Sequence, residues 1–563
     1  MVSGKNRLAV LIAAFLTGCG AGKGHEETAA ASMKVETPEI ALHDDLGDHH
    51  RPIATSSEIA QAYFDQGLRL HYAFDHPDAI LSYKEALKHD PGCAMCWWGI
   101  ALAAGPDFNS IPQAEDEPAD SRAESLRTWR ARLAYAAIQK ARSLSEPGGV
   151  EADLIGALAV RYAQDPAAER APLDTLYARA MEEVASSHPD DADVLTLYAA
   201  ALMSLSPWNY WDGPWRDRTP RPGTNKILSS LERAIELNPN HPGACHYYIH
   251  AVEAAYPEKA IGCAERLAAL MPGAGHIVHM PSHIYVRVGK YYDAVQMNEH
   301  AAHEAASLSS EPGQATLCAG ACYLHIYDFM SFAATMAGMN EEALHASRIV
   351  ASGVNAAGQD YGIPNAAVLP QLTLLTFGRW EEVLNEPMPR QGPVQAGVMA
   401  HYARGVALAA LHRFDEAWRE LEFLTNAPAA IQGGGSDDPV IAIARHALAG
   451  ELALRSGRAK DAVDDFQAAA EIEDQLLYDE PPPSWYYPIR QSLGRALLEA
   501  GRPRDAERVY REELAKFPQN GWSLYGLALS LKDQGRLQEA AEVMTRFDQA
   551  WQHAEVQLTA SRF

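Results

Sequence analysis

From residue 56 to residue 555 the apolar positions repeat in paired helical stripes. In "AQAYFDQGLRLHYAFDHPDAILSYKEALKHDPG", which begins at Ala60, small and aromatic residues fall at Gly67, Ala79, Tyr83 and Ala86, and Pro91 closes the stretch. Apolar residues three and four apart predict two amphipathic helices, with a tight turn between them near His76 and Pro77. The same pattern returns in "LRSGRAKDAVDDFQAAAE" near Gly457, in "LLEAGRPRDAERVYREELAKFPQ" near Gly501 and in "SLKDQGRLQEAAEVM" near Gly535. Gly501 and Gly535 stand 34 residues apart. Counting 34 residues on from His241 leads to Gly275, and in that register Gly289 takes the turn position and Ala294 the small position of the second helix. Further pairs begin in "YLHIYDFMSFAATMAGMNEEALHASRIV", "LTLLTFGRWEEVLNEP" and "HYARGVALAALHRFDEAWRELEFL".

The period, the small residues, the turn glycine and the closing proline resemble the tetratricopeptide repeat. That resemblance implies an all-α fold, a right-handed superhelical solenoid of helix pairs in which each pair buries its apolar face on its neighbours. "CAMCWWGIALAAGP", "CHYYIHAVEAAYPEKA", "GHIVHMPSHIYVRVG" and "PPSWYYPIRQSLGRALLEAGRPRDAE" together resemble a widespread group of long exported bacterial tetratricopeptide proteins. The resemblance supports the fold and supplies no mechanism, because this repeat serves many purposes.

Three stretches break the rhythm. Residues 105–125 are polar, and "IQGGGSDDPV" from Ile431 reads as a connector. Residues 206–224 interrupt a repeat with Trp208, Tyr210, Trp211 and Trp215. A loop this aromatic either packs over the solenoid or forms the lip of a binding groove.

The stretch Gly275 to Gly289 carries His276, His279 and His283, spaced i, i+3, i+7 along one stripe, with Pro281 between them. The preceding first helix carries His246, His250 and Glu253, and a later one His325 and Asp328. First helices of neighbouring repeats lie side by side in the tetratricopeptide family and line its concave groove, so these stripes are expected to converge. Imidazole and carboxylate are ligands for zinc, copper or iron, and they also serve as acid–base groups near neutral pH. A single histidine on a helix is more often a packing residue; eight such side chains in phase over three helices make a ligand cluster the sharper reading. Pro281 removes a backbone donor and is expected to kink the helix, turning His276 and His279 away from His283.

Charge narrows the partners. With 47 basic and 73 acidic residues the net charge is −26, and no basic stripe is evident. A nucleic-acid partner is therefore not expected. The leader "MVSGKNRLAVLIAAFLTGCGAG" has a basic start, a short apolar run and "LTGC", which resembles a lipoprotein signal in which Cys19 is lipidated. A periplasm-facing protein of the cell envelope follows as an expectation, with Gly20 after the cysteine favouring the outer membrane. Cys93 and Cys96 form a CxxC, read as a structural disulfide or, with Met95, as a soft-metal site. P-loop, GxSxG and HExxH motifs are absent from the sequence.

The organisation expected is a signal over 1–19, a flexible polar linker over 20–55, an array with the histidine cluster and the Trp-rich insertion over 56–425, and a second array over 441–555. The function expected is a lipid-anchored envelope scaffold, a binding module rather than an enzyme, holding a protein, peptide or small ligand in its groove beside Trp208, Tyr210, Trp211, Trp215 and His276. A transition metal on His246, His250, Glu253, His279, His283, His325 and Asp328 is the companion expectation, and a metal-dependent enzyme is the alternative.

Overall fold

The computed structural model describes residues 40–109, 121–215, 217–308, 321–357, 362–363, 365–389, 394–426, 438–476, 478 and 481–563. The leader, Cys19 and residues 20–39 lie outside them, as do residues 110–120 of the 105–125 loop and 431–437 of the Ile431 connector. Residues 39–563 form one compact unit, an all-α solenoid of antiparallel helix pairs.

The pairs form where the repeat pattern puts them. Helix Glu58–Tyr72 starts at Ser57, whose hydroxyl accepts from the amide of Ala60, and helix His76–His89 returns beside it. Small residues let the pairs close up. A Cβ at Gly67 would lie 2.6 Å from the Tyr83 ring and one at Gly99 would lie 2.5 Å from it, so only glycine lets these two neighbouring helices clasp that ring. Tyr510 is clasped in the same way by Gly494 and Gly526. The turn glycines Gly289, Gly457, Gly501 and Gly535 all have φ between 71° and 82°, which is the left-handed turn conformation the phasing predicts.

Two expectations about organisation change. Residues 40–55 are not a free tether. Ile40 and Leu46 are buried, the Gln66 side chain donates to the carbonyl of Ala41, and the amide of Gly273 donates to that of Asp45. Polar composition suggested solvation, but these polar groups find partners on the array. The arrays 56–425 and 441–555 are also not separate bodies, since one hydrophobic core runs through both. The C-terminal pairs turn back onto the middle of the chain. Trp522 Nε1 donates to the carbonyl of Thr335, and the Arg287 guanidinium sits 3.7 Å over the Tyr478 ring and donates to its carbonyl.

The N-terminal segment is pinned at Asp193. Its carboxylate accepts from His49, His241 and Tyr72 on one oxygen and from Arg51 on the other. Burial alone would raise this carboxyl; the hydrogen bonds from His241 and His49 outweigh it and hold it well below the usual range. A carboxyl lowered in this way stabilises the fold above its unfolded value of about 3.9 and loses that contribution as the pH falls below it. Asp193→Ala is therefore expected to lose about 3–5 kcal/mol at neutral pH, since it leaves the buried Tyr72 hydroxyl and His241 ring without that acceptor and leaves Arg51 with Asp191 alone. The variant's unfolding free energy, followed by urea titration from pH 7 to pH 2, should also fall less steeply below pH ~4 than the parent's.

Candidate metal centre

The centre is built on the helix Pro242–Val252, every residue of which is buried. His241 begins it, with Nδ1 accepting from the amide of Ala244. His246 and His250, one turn apart, face the same way, and Glu253 follows the last turn. In the next repeat Pro281 divides the first helix into Gly275–His279 and Pro281–Val288. Met280 keeps helical angles at the junction, so the axis continues while the stripe is shared out. His276 turns to His246, with the Nε2 atoms 3.0 Å apart. His279 and His283 stay together, also with Nε2 atoms 3.0 Å apart. The expected division therefore falls between His276 and the other two, because a gap of four residues still spans one turn across the proline. His325, on helix Ala321–Ala337, completes the second group.

Six imidazoles thus form two triads, His246–His250–His276 and His279–His283–His325. Within each, one ligand atom from every residue lies within 4.8 Å of the others. His246, His250, His279 and His283 are buried, while His276 and His325 are partly exposed.

The outward nitrogens fix the protonation of four rings. His246 Nδ1 lies 2.6 Å from the Tyr72 carbonyl, which can only accept. His250 Nδ1 and His283 Nδ1 lie 3.1 and 2.7 Å from the two oxygens of Glu253. His279 Nδ1 lies 2.6 Å from Asn298 Oδ1, and the Asn298 amide is oriented by its own donation to Ala294 and Ser282. All four Nδ1 atoms are therefore donors, and a neutral ring then carries its lone pair on Nε2. Burial is the main reason His246, His250, His276 and His279 stay neutral, and the neighbouring imidazoles reinforce it in His246, His276 and His279. His325 is lowered to about 3, chiefly by burial. Burial by itself would raise the Glu253 carboxyl, but His283 and His250 outweigh that and leave it below the usual carboxylate range.

The Nε2 atoms of His279 and His283 consequently face each other at 3.0 Å, each on a ring whose Nδ1–H is already committed. The His250 Nε2 atom is buried with no hydrogen-bond partner. Two nitrogens bound at about 2.0–2.1 Å to one tetrahedral or near-square ion sit roughly 2.8–3.4 Å apart, so both facing pairs have the width of a coordination edge. The donor set fits a transition metal. Neutral imidazoles are its ligands, and Tyr72, Glu253 and Asn298 orient them from behind.

The site residues read from the sequence sort differently from the single cluster expected. Glu253 forms a third potential ligand group with His250 and His283, and with its two oxygens against their Nδ1 atoms it also positions those rings. Asp328 is not grouped with the triads; it lines a neighbouring cavity with Ser331, Thr335 and Asn365, because three residues on a helix turn a side chain about 60° from His325. His276, expected in the groove, belongs to the first triad.

The aromatic loop packs over the centre. Trp208 stands edge-on to His250 at 4.8 Å, and Trp211 is buried and donates from Nε1 to the carbonyl of Ala251. Tyr210 is buried beside them. Residues 211–212 pair with 219–220 in a short antiparallel ribbon that holds this shape. Trp215 lies apart, in a cavity with Glu473, Arg490, Glu513 and Lys516. A fourth such group among the described residues, His49–Asp193–His241, has its carboxylate taken by Tyr72 and Arg51 and reads as the N-terminal pin. Cys93 and Cys96 are joined in a disulfide, as the structural reading of the CxxC expected.

Phe74 is a neighbour of the centre that the sequence reading missed. Its ring lies 4.5 Å from His246 and 5.3 Å from His276. It stands five residues before Ala79, as Gly501 stands five before Ala506, so a phenylalanine occupies the turn-glycine position. Its φ is +61°, and that of Trp208 is +62°. A bulky side chain in the left-handed region costs on the order of 1–2 kcal/mol. The signal was available as a departure from the repeat's own pattern.

Residues 492–555 match the tetratricopeptide repeat family. The helix pairs are of that kind, a scaffold suited to binding a protein or a ligand. No curated protein matches the chain. Among solved structures, the chain is similar to the human IFIT1 dimer with m7Gppp-AAAA at 12% identity, over 88% of this chain and 91% of that one, with a TM-score of 0.29. It is similar to yeast Tom70 at 10% identity, over 87% of this chain and 92% of that one, with a TM-score of 0.25.

Removing the Glu253 carboxylate strands two buried imidazole N–H groups. In metal-free protein Glu253→Ala is expected to cost about 3–5 kcal/mol by urea unfolding. Glu253→Gln, which keeps one acceptor oxygen, should cost about half as much.

Proposed function

We propose that this tetratricopeptide-repeat array is a metalloprotein whose histidine triads hold a transition metal. The observation that carries the reading is the facing pair His279 and His283, both with Nδ1–H committed and their Nε2 atoms 3.0 Å apart. A metal cation between the two Nε2 atoms would satisfy both at once, and burial makes a proton on His279 unfavourable. Three imidazoles would leave a fourth position open on a tetrahedral metal, which suits a site that acts on a ligand more than one that only stiffens a fold. His276 and His325 bring each triad to the edge of solvent. The array around the centre would present it to a protein or peptide partner or to a small molecule. The leader, with lipid on Cys19, would hold the array at a cell-envelope membrane.

Elemental analysis of the purified chain tests the reading. At least one equivalent of zinc, copper or iron is expected in the parent, and none in a His250→Ala, His283→Ala variant that keeps its helical circular dichroism. A parent that holds no transition metal after gentle purification and reloading would overturn it.

A further inference from the structure

The metal reading leaves one pair of nucleophiles unused. Among the described residues Cys93 and Cys96 are joined in a disulfide and Cys322 is disulfide-bonded, while Cys245 and Cys263 are free thiols. Cys245 lies on the helix Pro242–Val252, and Cys263 on the helix Ile261–Leu270 packed beside it. Both are buried, at 0% and 4% exposure, and the two thiols hydrogen-bond to each other.

Arg266 completes the group. Its Nε donates to the Pro239 carbonyl at 2.7 Å, which fixes the guanidinium. Its Nη2 then lies 3.8 Å from Cys245 Sγ and 3.8 Å from Cys263 Sγ. Among the described residues Arg266 makes no ion pair, and the neighbouring carboxylate of Glu265 goes to Lys290 instead. A cysteine that only packs needs no cation beside it. A guanidinium in reach of both sulfurs stabilises the thiolate, which is the nucleophilic form. The same charge repels a metal cation from between the sulfurs, so the pair is separate in kind from the imidazoles.

Size selects the reactant. Thiol exchange must seat a mixed disulfide with a second molecule, and sulfurs this enclosed leave it no room. Hydrogen peroxide is little larger than water. Cys263 keeps 4% of its surface open, and its neighbour Gly262 is exposed and has no side chain to cover it.

We propose that Cys245 and Cys263 are a peroxide-reactive dithiol, held ready by Arg266 and independent of the metal centre. The thiolate sulfur attacks one oxygen of hydrogen peroxide. The O–O bond breaks, and the departing hydroxide takes the proton that the thiol gave up and leaves as water. The sulfur is then a sulfenic acid. The second sulfur attacks it, the S–O bond breaks, and hydroxide leaves with that thiol's proton as a second water. Two electrons pass from the sulfurs to the peroxide, and a Cys245–Cys263 disulfide remains.

The full-length chain, freed of reductant and kept with a chelator for loose metal, is exposed to hydrogen peroxide and quenched with an alkylating agent. Peptide mass spectrometry then reads these two cysteines apart from the others. The parent should close the disulfide at least ~10 times faster than free cysteine is oxidised under the same conditions. Cys245→Ser and Cys263→Ser should each form no disulfide, and at least one should yield a sulfenic acid that dimedone traps. Arg266→Gln should slow closure about tenfold, and Arg266→Lys, which keeps the charge, should restore most of the rate. Helical circular dichroism checks that every variant is folded. A folded parent whose two thiols react no faster than free cysteine, or only in urea, overturns the proposal. An unchanged rate in folded Arg266→Gln overturns the part given to Arg266. A parent that holds no metal yet closes the disulfide supports the dithiol while the metalloprotein reading falls.

Discussion

Buried imidazole is tolerable only when its N–H finds an acceptor, and Glu253 supplies two of them at once. One carboxylate, enclosed by helices on every side, accepts from His250 in its own repeat and from His283 in the next. That bond pair sets the tautomer of both rings, and with it the direction in which their lone pairs face. Remove it and the rings could present N–H inward, where another ring already stands. The arrangement of the rest of the centre follows from this constraint. Tyr72 and Asn298 apply it to His246 and His279, so that four rings from two repeats offer lone pairs to a common interior.

A helical repeat is well suited to impose such a constraint. Consecutive first helices lie parallel, and side chains at matched positions meet across the gap between them. The helix Pro242–Val252 contributes one edge and the divided helix after it contributes the other. Pro281 has a specific consequence here. It begins the second helical segment, where its missing donor leaves no bond broken, and the segments stay nearly in line through Met280. Three histidines that one straight helix would keep on a single stripe are thereby apportioned between two triads.

Much of this was legible in the sequence. The 34-residue period, the small residues and the turn glycines foretold helix pairs, and their phase held at Gly289, Gly457, Gly501 and Gly535. The convergence of His246, His250, His279, His283 and His325 was readable because ligand types in phase on adjacent first helices must meet. What the pattern did not carry was direction. Spacing places Asp328 near His325 but does not tell that it turns into another cavity. It places Glu253 beside the histidines but does not tell a ligand from a carboxylate that holds ligands. Tyr72 and Asn298 were invisible because one acts through its backbone and the other from a second helix. The packing of residues 40–55 was hidden by composition, since polar residues that find partners on an array look the same in sequence as polar residues in water.

Phe74 and Trp208 show what the fold gives up around the centre. Both hold positive φ, which glycine would adopt without strain, and both place a large ring against the histidines. A repeat needs neither ring to pack, as the turn glycines elsewhere demonstrate. Together the two positions cost on the order of 2–4 kcal/mol of backbone strain, a large fraction of a typical domain's net stability. They are tolerated because the surrounding structure is over-determined. The C-terminal pairs return to Thr335, Gly338 and Arg287, and the N-terminal segment is clamped at Asp193. Asn365, His412 and Gln519 hold the same left-handed conformation elsewhere in the array, so what sets Phe74 and Trp208 apart is that their rings lie against His246, His276 and His250.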